Sequence, residues 1–332
     1  MSRASGIGSW PGEDVGVTCR AVRDLLADDG IPYLPELPAR GPGADMIGRT
    51  AALLVDLPVD LQPSGWRFVD RPGRDQRRAE AFLREDLDQL AEVYDGYEGD
   101  LKLQVTGPWT LASAVAVSRG ERSVADPGAT RDLVESLAEG LRQHVETVQR
   151  LVPGATLVIQ VDEPGLPAAL AGRLATASGF GRLRPVDPQE ARQGLHTVLE
   201  GAGGRTTVVH CCARDAPLPL LRATGAAAVA VDTSLLGPKG WESVAATVES
   251  GVELWAGAVP STGADPAYGR ASEVTEELVT SWTRVGLRVE DLDRLVVTPA
   301  CGLAGAAGVD EATSAHRTVL QAAAELSERA HG

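Results

Sequence analysis

The chain alternates short β-branched runs with longer amphipathic stretches, and this alternation is repeated eight times. Some of the short runs are almost wholly apolar, as in Thr-Leu-Val-Ile-Gln-Val at 156–161, which is typical of parallel strands buried on both faces. The predicted strands are residues 5–9, 32–36, 101–106, 155–161, 206–210, 227–232, 252–256 and 294–298. The predicted helices are residues 13–26, 45–57, 77–93, 130–151, 189–200, 272–285 and 311–329.

Eight strand-and-helix units predict parallel pairing with right-handed crossovers. Such a series closes into a (β/α)8 barrel, the TIM-barrel architecture, and 332 residues suit one barrel with insertions. No Gly/Pro-rich stretch is long enough to be a linker between domains. We therefore expect residues 1–332 to form a single catalytic barrel.

Composition excludes several classes of function. The chain has 31 Lys and Arg against 46 Asp and Glu, a net charge of −15, which argues against nucleic-acid binding. The basic stretch at 67–78 is interleaved with Asp70 and Asp75 and is interpreted as a solvated surface segment. No apolar run is long enough for a membrane span, and four cysteines make no disulfide scaffold. We expect a cytoplasmic enzyme with reduced thiols.

Barrel active sites lie at the carboxyl ends of the strands, and three of these ends carry metal-binding residue types. His210 and Cys212 are two residues apart, so both can face the barrel mouth while Cys211 faces outward. Cys301 ends the last strand. One imidazole and two thiolates suit zinc, which takes a fourth ligand. Asp232, at the end of the intervening strand, is the nearest carboxylate in the topology.

Simpler interpretations stay open for each of these residues. Buried cysteines at strand ends are common packing residues. Asp232 begins an Asp-Thr-Ser run, which is also good helix-capping chemistry. Asp162, Glu163 and Pro164 together could begin a helix, with the acidic groups near its positive end.

Six short motifs occur in an order that resembles a known family. They are Ile-Gly-Ser-x-Pro at 7–11, Thr-Gly-Pro-x-Thr at 106–110, Gln-Val-Asp-Glu-Pro at 160–164, His-x-Cys at 210–212, Asp-Thr-Ser at 232–234 and Pro-x-Cys-Gly-Leu at 299–303. Together they resemble the C-terminal catalytic barrel of the cobalamin-independent methionine synthases, over residues 5 to 325. The resemblance implies a barrel related to those of the methionine synthases and the uroporphyrinogen decarboxylases.

The resemblance also implies a reaction, in which a zinc-dependent enzyme transfers a methyl group to the thiol of homocysteine and forms methionine. The zinc of the family is held by His, Cys, Glu and Cys. Three of these ligands fall on His210, Cys212 and Cys301, and Asp232 stands where the family usually has Glu.

The family's amino-acid site falls on Ser9, Glu36 and Asp162. The chemistry of these side chains agrees, because two carboxylates can hold the ammonium group of homocysteine. The Ser9 hydroxyl and nearby backbone amides can hold its carboxylate.

The sequence departs from the family in ways that bear on the methyl donor. The second, N-terminal barrel of full-length members is not expected here. The family's Asp-x-His-Ser after the seventh strand reads Val-Pro-Ser-Thr at 259–262, without the histidine that protonates the folate leaving group. The donor could be methylfolate or a corrinoid-type compound, the latter presented by a carrier protein.

Three alternatives differ from this hypothesis. A porphyrinogen decarboxylase shares the fold but needs an arginine-lined mouth, which the first strand does not supply. A non-catalytic barrel could keep the zinc only to bind a thiol or a partner protein. An enzyme of the same kind could methylate a different thiol.

Overall fold

The computed structural model describes residues 1–262 and 270–332, and eight parallel strands form its main sheet. In spatial order the strands are β2, β1, β10, β9, β8, β7, β6 and β5. Their bounds are β1 Arg3–Ser5, β2 Gly30–Ile31, β5 Asp100–Thr106, β6 Thr156–Asp162, β7 Thr206–Cys211, β8 Ala228–Asp232, β9 Glu253–Val259 and β10 Val296–Pro299. Helices follow the strands along the chain, so the predicted α/β barrel is confirmed.

The helices surround this sheet, and several begin at signals that the sequence carries. Asp126 and Asp187 cap α5 and α7, each of which has proline in its first turn. The helices are α1 Val15–Leu26, α2 Met46–Ala51, α3 Arg74–Val93, α4 Pro108–Ala114, α5 Pro127–Leu151, α6 Leu166–Leu170, α7 Pro188–Glu200, α8 Leu218–Arg222, α9 Pro238–Glu249, α10 Ala271–Arg284 and α11 Val309–His331. Within the described ranges, no helix combines the length and apolarity that a bilayer crossing needs.

The two edge strands of the sheet, β2 and β5, meet just beyond the end of β2. Tyr33 and Lys102 form a parallel bridge there. The Lys102 amide donates to the Pro32 carbonyl at 2.8 Å, and the Leu34 amide donates to the Lys102 carbonyl at 3.1 Å. These bonds bring the two edges together and nearly close the barrel.

Apolar packing divides into two clusters, because alternate residues of each strand point to opposite faces. The larger cluster fills the space between strands and helices and includes Val209, Cys211 and Val231. The smaller cluster contains Ile31, Val158, Val208, Ala228, Ala230, Trp255 and Val296. Its strand members alternate with those of the larger cluster and therefore line the barrel interior. Further toward the carboxyl ends of β6 and β7, the same interior positions carry Gln160, Asp162 and His210.

The structure corrects some predicted elements. The first two strands end at Ser5 and Ile31, earlier than predicted, and the chain continues beyond each as an irregular segment. An antiparallel hairpin of β3 Val59–Gln62 and β4 Gly65–Phe68 was not predicted, nor were α4, α6, α8 and α9. Half of the residues in the basic stretch at 67–78 are exposed, as expected of a surface segment, but Phe68 and Gln76 are buried.

Candidate metal and amino-acid site

The carboxyl ends of β6 and β7 place two predicted site residues side by side. Asp162 and His210 are register partners on these neighbouring parallel strands. The Asp162 carboxylate oxygen Oδ1 lies 2.6 Å from His210 Nδ1. A carboxylate accepts hydrogen bonds, so Nδ1 is the donor of this pair, and the other ring nitrogen, Nε2, is left for a different partner.

The free nitrogen of His210 is buried without a hydrogen-bond partner. The residue is only 3% exposed, and Nε2 has no partner in the described part of the chain. Buried polar atoms are rarely left unpaired. An imidazole whose Nδ1 is held by a carboxylate, with Nε2 free, has the arrangement of a metal-ligating histidine.

The two predicted ligand cysteines lie together although 89 residues separate them. Cys212 follows β7, Cys301 follows β10, and their sulfur atoms are 3.2 Å apart. A hydrogen bond between the sulfurs lowers the pKa of Cys301 to about 6 and raises that of Cys212 above its ordinary value. The pair therefore favours a thiolate, the form that binds metals. Cys211 faces the apolar cluster, and burial raises its pKa to about 12.

Asp232 ends β8 and caps the short 3-10 helix Thr233–Leu235. Its Oδ1 accepts from the Ser234 amide at 3.0 Å and from the Ser234 hydroxyl at 2.6 Å. The capping interpretation is thus what the structure shows. Partial burial raises the pKa of Asp232, although the hydrogen bonds from Ser234 act to lower it.

The four candidate ligands do not form a preorganised metal-binding site. Within residues 1–262 and 270–332, no group of three or more His, Cys, Asp and Glu side chains is arranged to hold a metal ion as it stands. The donor types nevertheless fit zinc, because an unpaired imidazole nitrogen and a close pair of sulfurs occur at strand ends of one rim.

Two of the three residues predicted to bind the amino acid, Ser9 and Glu36, lie on the irregular segments after β1 and β2. Ser9 and Glu36 form an isolated parallel bridge, in which the Glu36 amide donates to the Gly8 carbonyl at 3.0 Å. Glu36 is 5% exposed, and its burial raises the pKa of the carboxyl to about 7, although Arg49 acts to lower it. Ser9 is half-buried, and its hydroxyl accepts weakly from the Ala304 amide at 3.3 Å.

Several polar residues at the site were not identified from the sequence. Lys102, Gln104 and Gln160 are all buried near the predicted residues. They belong to β5 and β6, where each lies an even number of residues before the strand end. Because of that spacing, their side chains lie on the same face of the sheet as those of Thr106 and Asp162. This strand periodicity could have identified the three residues from the sequence.

Glu163, next to Asp162, has a different task. Its carboxylate accepts from the amides of Trp109 and Thr110 at 2.9 and 2.8 Å and from the Thr110 hydroxyl at 2.7 Å. It therefore caps the start of α4. A Cβ at Gly107 would lie 2.5 Å from this carboxyl group, which explains the glycine of the Thr-Gly-Pro motif.

The fold and the rim define a parallel β/α barrel enzyme whose mouth carries an imidazole, two thiols and three carboxyl groups. Residues 2–325 match the model of one family, described as the cobalamin-independent synthase, catalytic domain. The chain belongs to this family, and it is a methyltransferase of the kind that acts on homocysteine.

Solved structures support the fold. The chain is similar to a B12-independent methionine synthase from Shewanella sp. W3-18-1 in complex with selenomethionine, at 14% identity and a TM-score of 0.61. The match covers 98% of this chain and 97% of that one. The chain is also similar to the carboxyl transferase domain of Rhizobium etli pyruvate carboxylase, at 12% identity. That match covers 74% of this chain and 37% of the other, and its TM-score of 0.33 is too low to support an argument. None of the curated proteins matches the chain.

Proposed function

We propose that this enzyme transfers a methyl group to the thiol of homocysteine with the help of a zinc ion, forming methionine. The observation that carries the proposal is the buried, unpaired Nε2 of His210 on the rim that also holds the Cys212 and Cys301 sulfurs. An apolar packing role would explain the cysteines but would leave that nitrogen unsatisfied.

His210, Cys212 and Cys301 would hold the zinc, with Asp232 as the fourth ligand. The carboxylate of Asp232 would then have to bind zinc while it also accepts the hydrogen bonds from Ser234. Zinc supplies a positive charge that keeps a bound thiol in its thiolate form near neutral pH. Asp162 would fix the orientation of the His210 ring through the bond to Nδ1.

The amino-acid end of homocysteine would bind across the rim. Glu36 and Asp162 would hold its ammonium group, because both are buried carboxyl groups at the mouth. Ser9 and the backbone amides near it would hold its carboxylate. This placement would leave the thiol of homocysteine free to reach the rim that carries Cys212 and Cys301.

The donor we propose is one whose leaving group departs without a proton, such as a methylcorrinoid, presented by a carrier protein. The residues that follow β9 are Pro260, Ser261 and Thr262, and none of them can donate a proton as a histidine does. Methylfolate is the competing donor. We place the reaction in the cytoplasm, because Cys212 and Cys301 must stay reduced to bind a metal.

Metal analysis and a methyl-transfer assay test the proposal together. We expect about one zinc per purified chain, loss of that zinc in Cys301→Ser, and methionine formation from homocysteine and methylcobalamin. Methyltetrahydrofolate serves as the second donor, and other thiols serve as competing acceptors. Zinc without turnover would favour a thiol-binding barrel, and the absence of zinc would refute the mechanism.

A further inference from the structure

The backbone carbonyl of Ile7 receives hydrogen bonds from two buried side chains. Lys102 Nζ and Gln160 Nε2 each donate to this oxygen at 2.8 Å. Both side chains are fully buried. Ile7 lies directly before Gly8 and Ser9, so these two donors hold the segment that carries the proposed amino-acid site.

Gln160 also reaches the proposed metal site. Its Nε2 donates a second hydrogen bond, at 2.8 Å, to Oδ1 of Asp162. The same oxygen accepts from His210 Nδ1 at 2.6 Å. Hydrogen bonds thus run without interruption from the Ile7 carbonyl through Gln160 and Asp162 to the imidazole of His210.

The amide of Gln160 can take only one orientation. Both of its N–H groups are used, one for the Ile7 carbonyl and one for Asp162. A flipped amide would point Oε1 at two acceptors and lose both bonds. The observed orientation leaves Oε1 buried without a hydrogen-bond partner among the described residues. This unsatisfied acceptor carries a cost that an apolar side chain of similar size would avoid.

The segment after β1 depends on such side chains because it lacks regular strand pairing. The ladder of β1 ends at Ser5, and the next bridge is that of Ser9 with Glu36. Between them, Gly8 has a φ of +157° and packs so closely on Gln104 that a Cβ would lie 2.9 Å from it. The position of the Ile7 carbonyl is therefore set largely by Gln160 and Lys102.

We infer that Gln160 is a positioning residue that supports the amino-acid site and the metal site at once. Through Ile7 it holds the segment of Ser9, and through Asp162 it fixes the ring of His210. The inference rests on the proposed function, since it assigns a role in the site proposed above. Removal of the two N–H donors of Gln160 should weaken the binding of zinc and of the amino acid.

The test replaces the amide with an apolar side chain of similar length, in Gln160→Met. Zinc affinity is measured by competition with a chromophoric chelator. Amino-acid affinity is measured by calorimetry on metal-free protein with 2-aminobutanoate, which is homocysteine without its sulfur and so has no bond to zinc. We expect zinc affinity to fall about 10- to 100-fold and 2-aminobutanoate affinity to fall about 5-fold.

Gln76→Met is the matched control. Gln76 is also a buried glutamine with two hydrogen bonds, to the Val59 amide and to Glu80, but it lies in α3, outside the network that joins Ile7 to His210. We expect it to lower thermal stability and leave both affinities unchanged. If Gln160→Met does not fold, Gln160→Asn keeps the amide but is too short to reach both acceptors, and the same two losses are expected.

The outcomes separate the two proposals. Loss of both affinities in the Gln160 variant, with none in the Gln76 variant, supports the positioning role. Loss of only one affinity, or of neither, overturns it while the proposed function stands. A wild-type protein that binds no zinc overturns the proposed function and this role with it.

Discussion

The two halves of the barrel mouth are built in different ways. The proposed metal half consists of His210, Cys212 and Cys301, which lie on a regular strand or within two residues of its end. The proposed amino-acid half consists of Ser9 and Glu36, which lie on irregular segments beyond β1 and β2. Asp162 belongs to both halves.

Hydrogen-bonded strand pairing holds the metal half in place, whereas buried side chains such as those of Lys102 and Gln160 hold the amino-acid half. Substitutions should therefore separate the two halves, with shared effects only at the residues that join them.

The largest expected effect is confined to the metal half. Cys212→Ala removes one sulfur of the close pair, so we expect the protein to lose its zinc and its methyl-transfer activity. Binding of 2-aminobutanoate to the variant should remain within about 2-fold of that of metal-free wild type. Cys19→Ala is the control, since this cysteine is buried in α1 and should leave zinc content unchanged. Loss of amino-acid binding in Cys212→Ala would contradict the division into halves.

A change at the shared residue should affect both halves. Asp162→Asn keeps an oxygen that can accept from His210 but removes the negative charge. We expect zinc affinity to fall about 10- to 100-fold, and amino-acid affinity to fall as well because the ammonium group loses a countercharge. Chelator competition and calorimetry measure the two losses. Asp215→Asn, at an exposed position in the loop after β7, should change neither. An effect on zinc alone would remove Asp162 from the amino-acid half.

A third change should affect the amino-acid half alone and should alter its pH dependence. Burial raises the pKa of Glu36 to about 7, so the carboxyl is partly protonated at neutral pH. Only the ionised form attracts an ammonium group. Wild-type affinity for 2-aminobutanoate should therefore rise between pH 6 and pH 8, with proton release on binding at the lower pH. In Glu36→Gln we expect about 10-fold weaker binding and no such rise. Calorimetry in buffers of different ionisation enthalpy measures the affinity and the number of protons released. If the affinity of Glu36→Gln still rose with pH, the titrating group would be a different one.

The smallest effect on the site is expected from the neighbouring carboxyl group. Glu163→Gln places an amide where the amides of Trp109 and Thr110 donate, so the start of α4 loses part of its cap. We expect a loss of about 1 to 3 kcal/mol in the free energy of unfolding, measured by urea denaturation. Zinc content and amino-acid affinity should stay close to wild type. A large loss of zinc would mean that Glu163 also orders the metal half.

The sequence predicted the architecture and the strand-borne residues well. The barrel follows from eight alternations of strand and helix, and the ends of β6, β7, β8 and β10 fall within two residues of prediction. His210 and Asp162 could be placed because strand periodicity fixes the face of each residue. The same rule placed Cys211 outward, and the structure confirms it.

The irregular parts were harder to predict for physical reasons. The extended residues after β1 and β2 look like strands in sequence, but tertiary hydrogen bonds from Lys102, Gln104 and Gln160 hold them instead of a ladder. The β3–β4 hairpin had a usable signal, since Pro63 and Ser64 separate two alternating runs and Gly65 follows them. Glu163 could not be assigned to capping, because its partners follow a different strand.

Ser9 and Gly302 lie side by side although they stand near opposite ends of the chain. The Leu303 amide donates to the Ser9 carbonyl at 2.9 Å, and a Cβ on Gly302 would lie 2.1 Å from the Ser9 hydroxyl. A nascent chain on the ribosome thus holds only His210 and Cys212 of the proposed histidine and cysteine ligands until residue 301 emerges. Zinc bound by the full proposed set would then have to wait for Cys301, and it would mark a chain in which the segments of Ser9 and Cys301 have met.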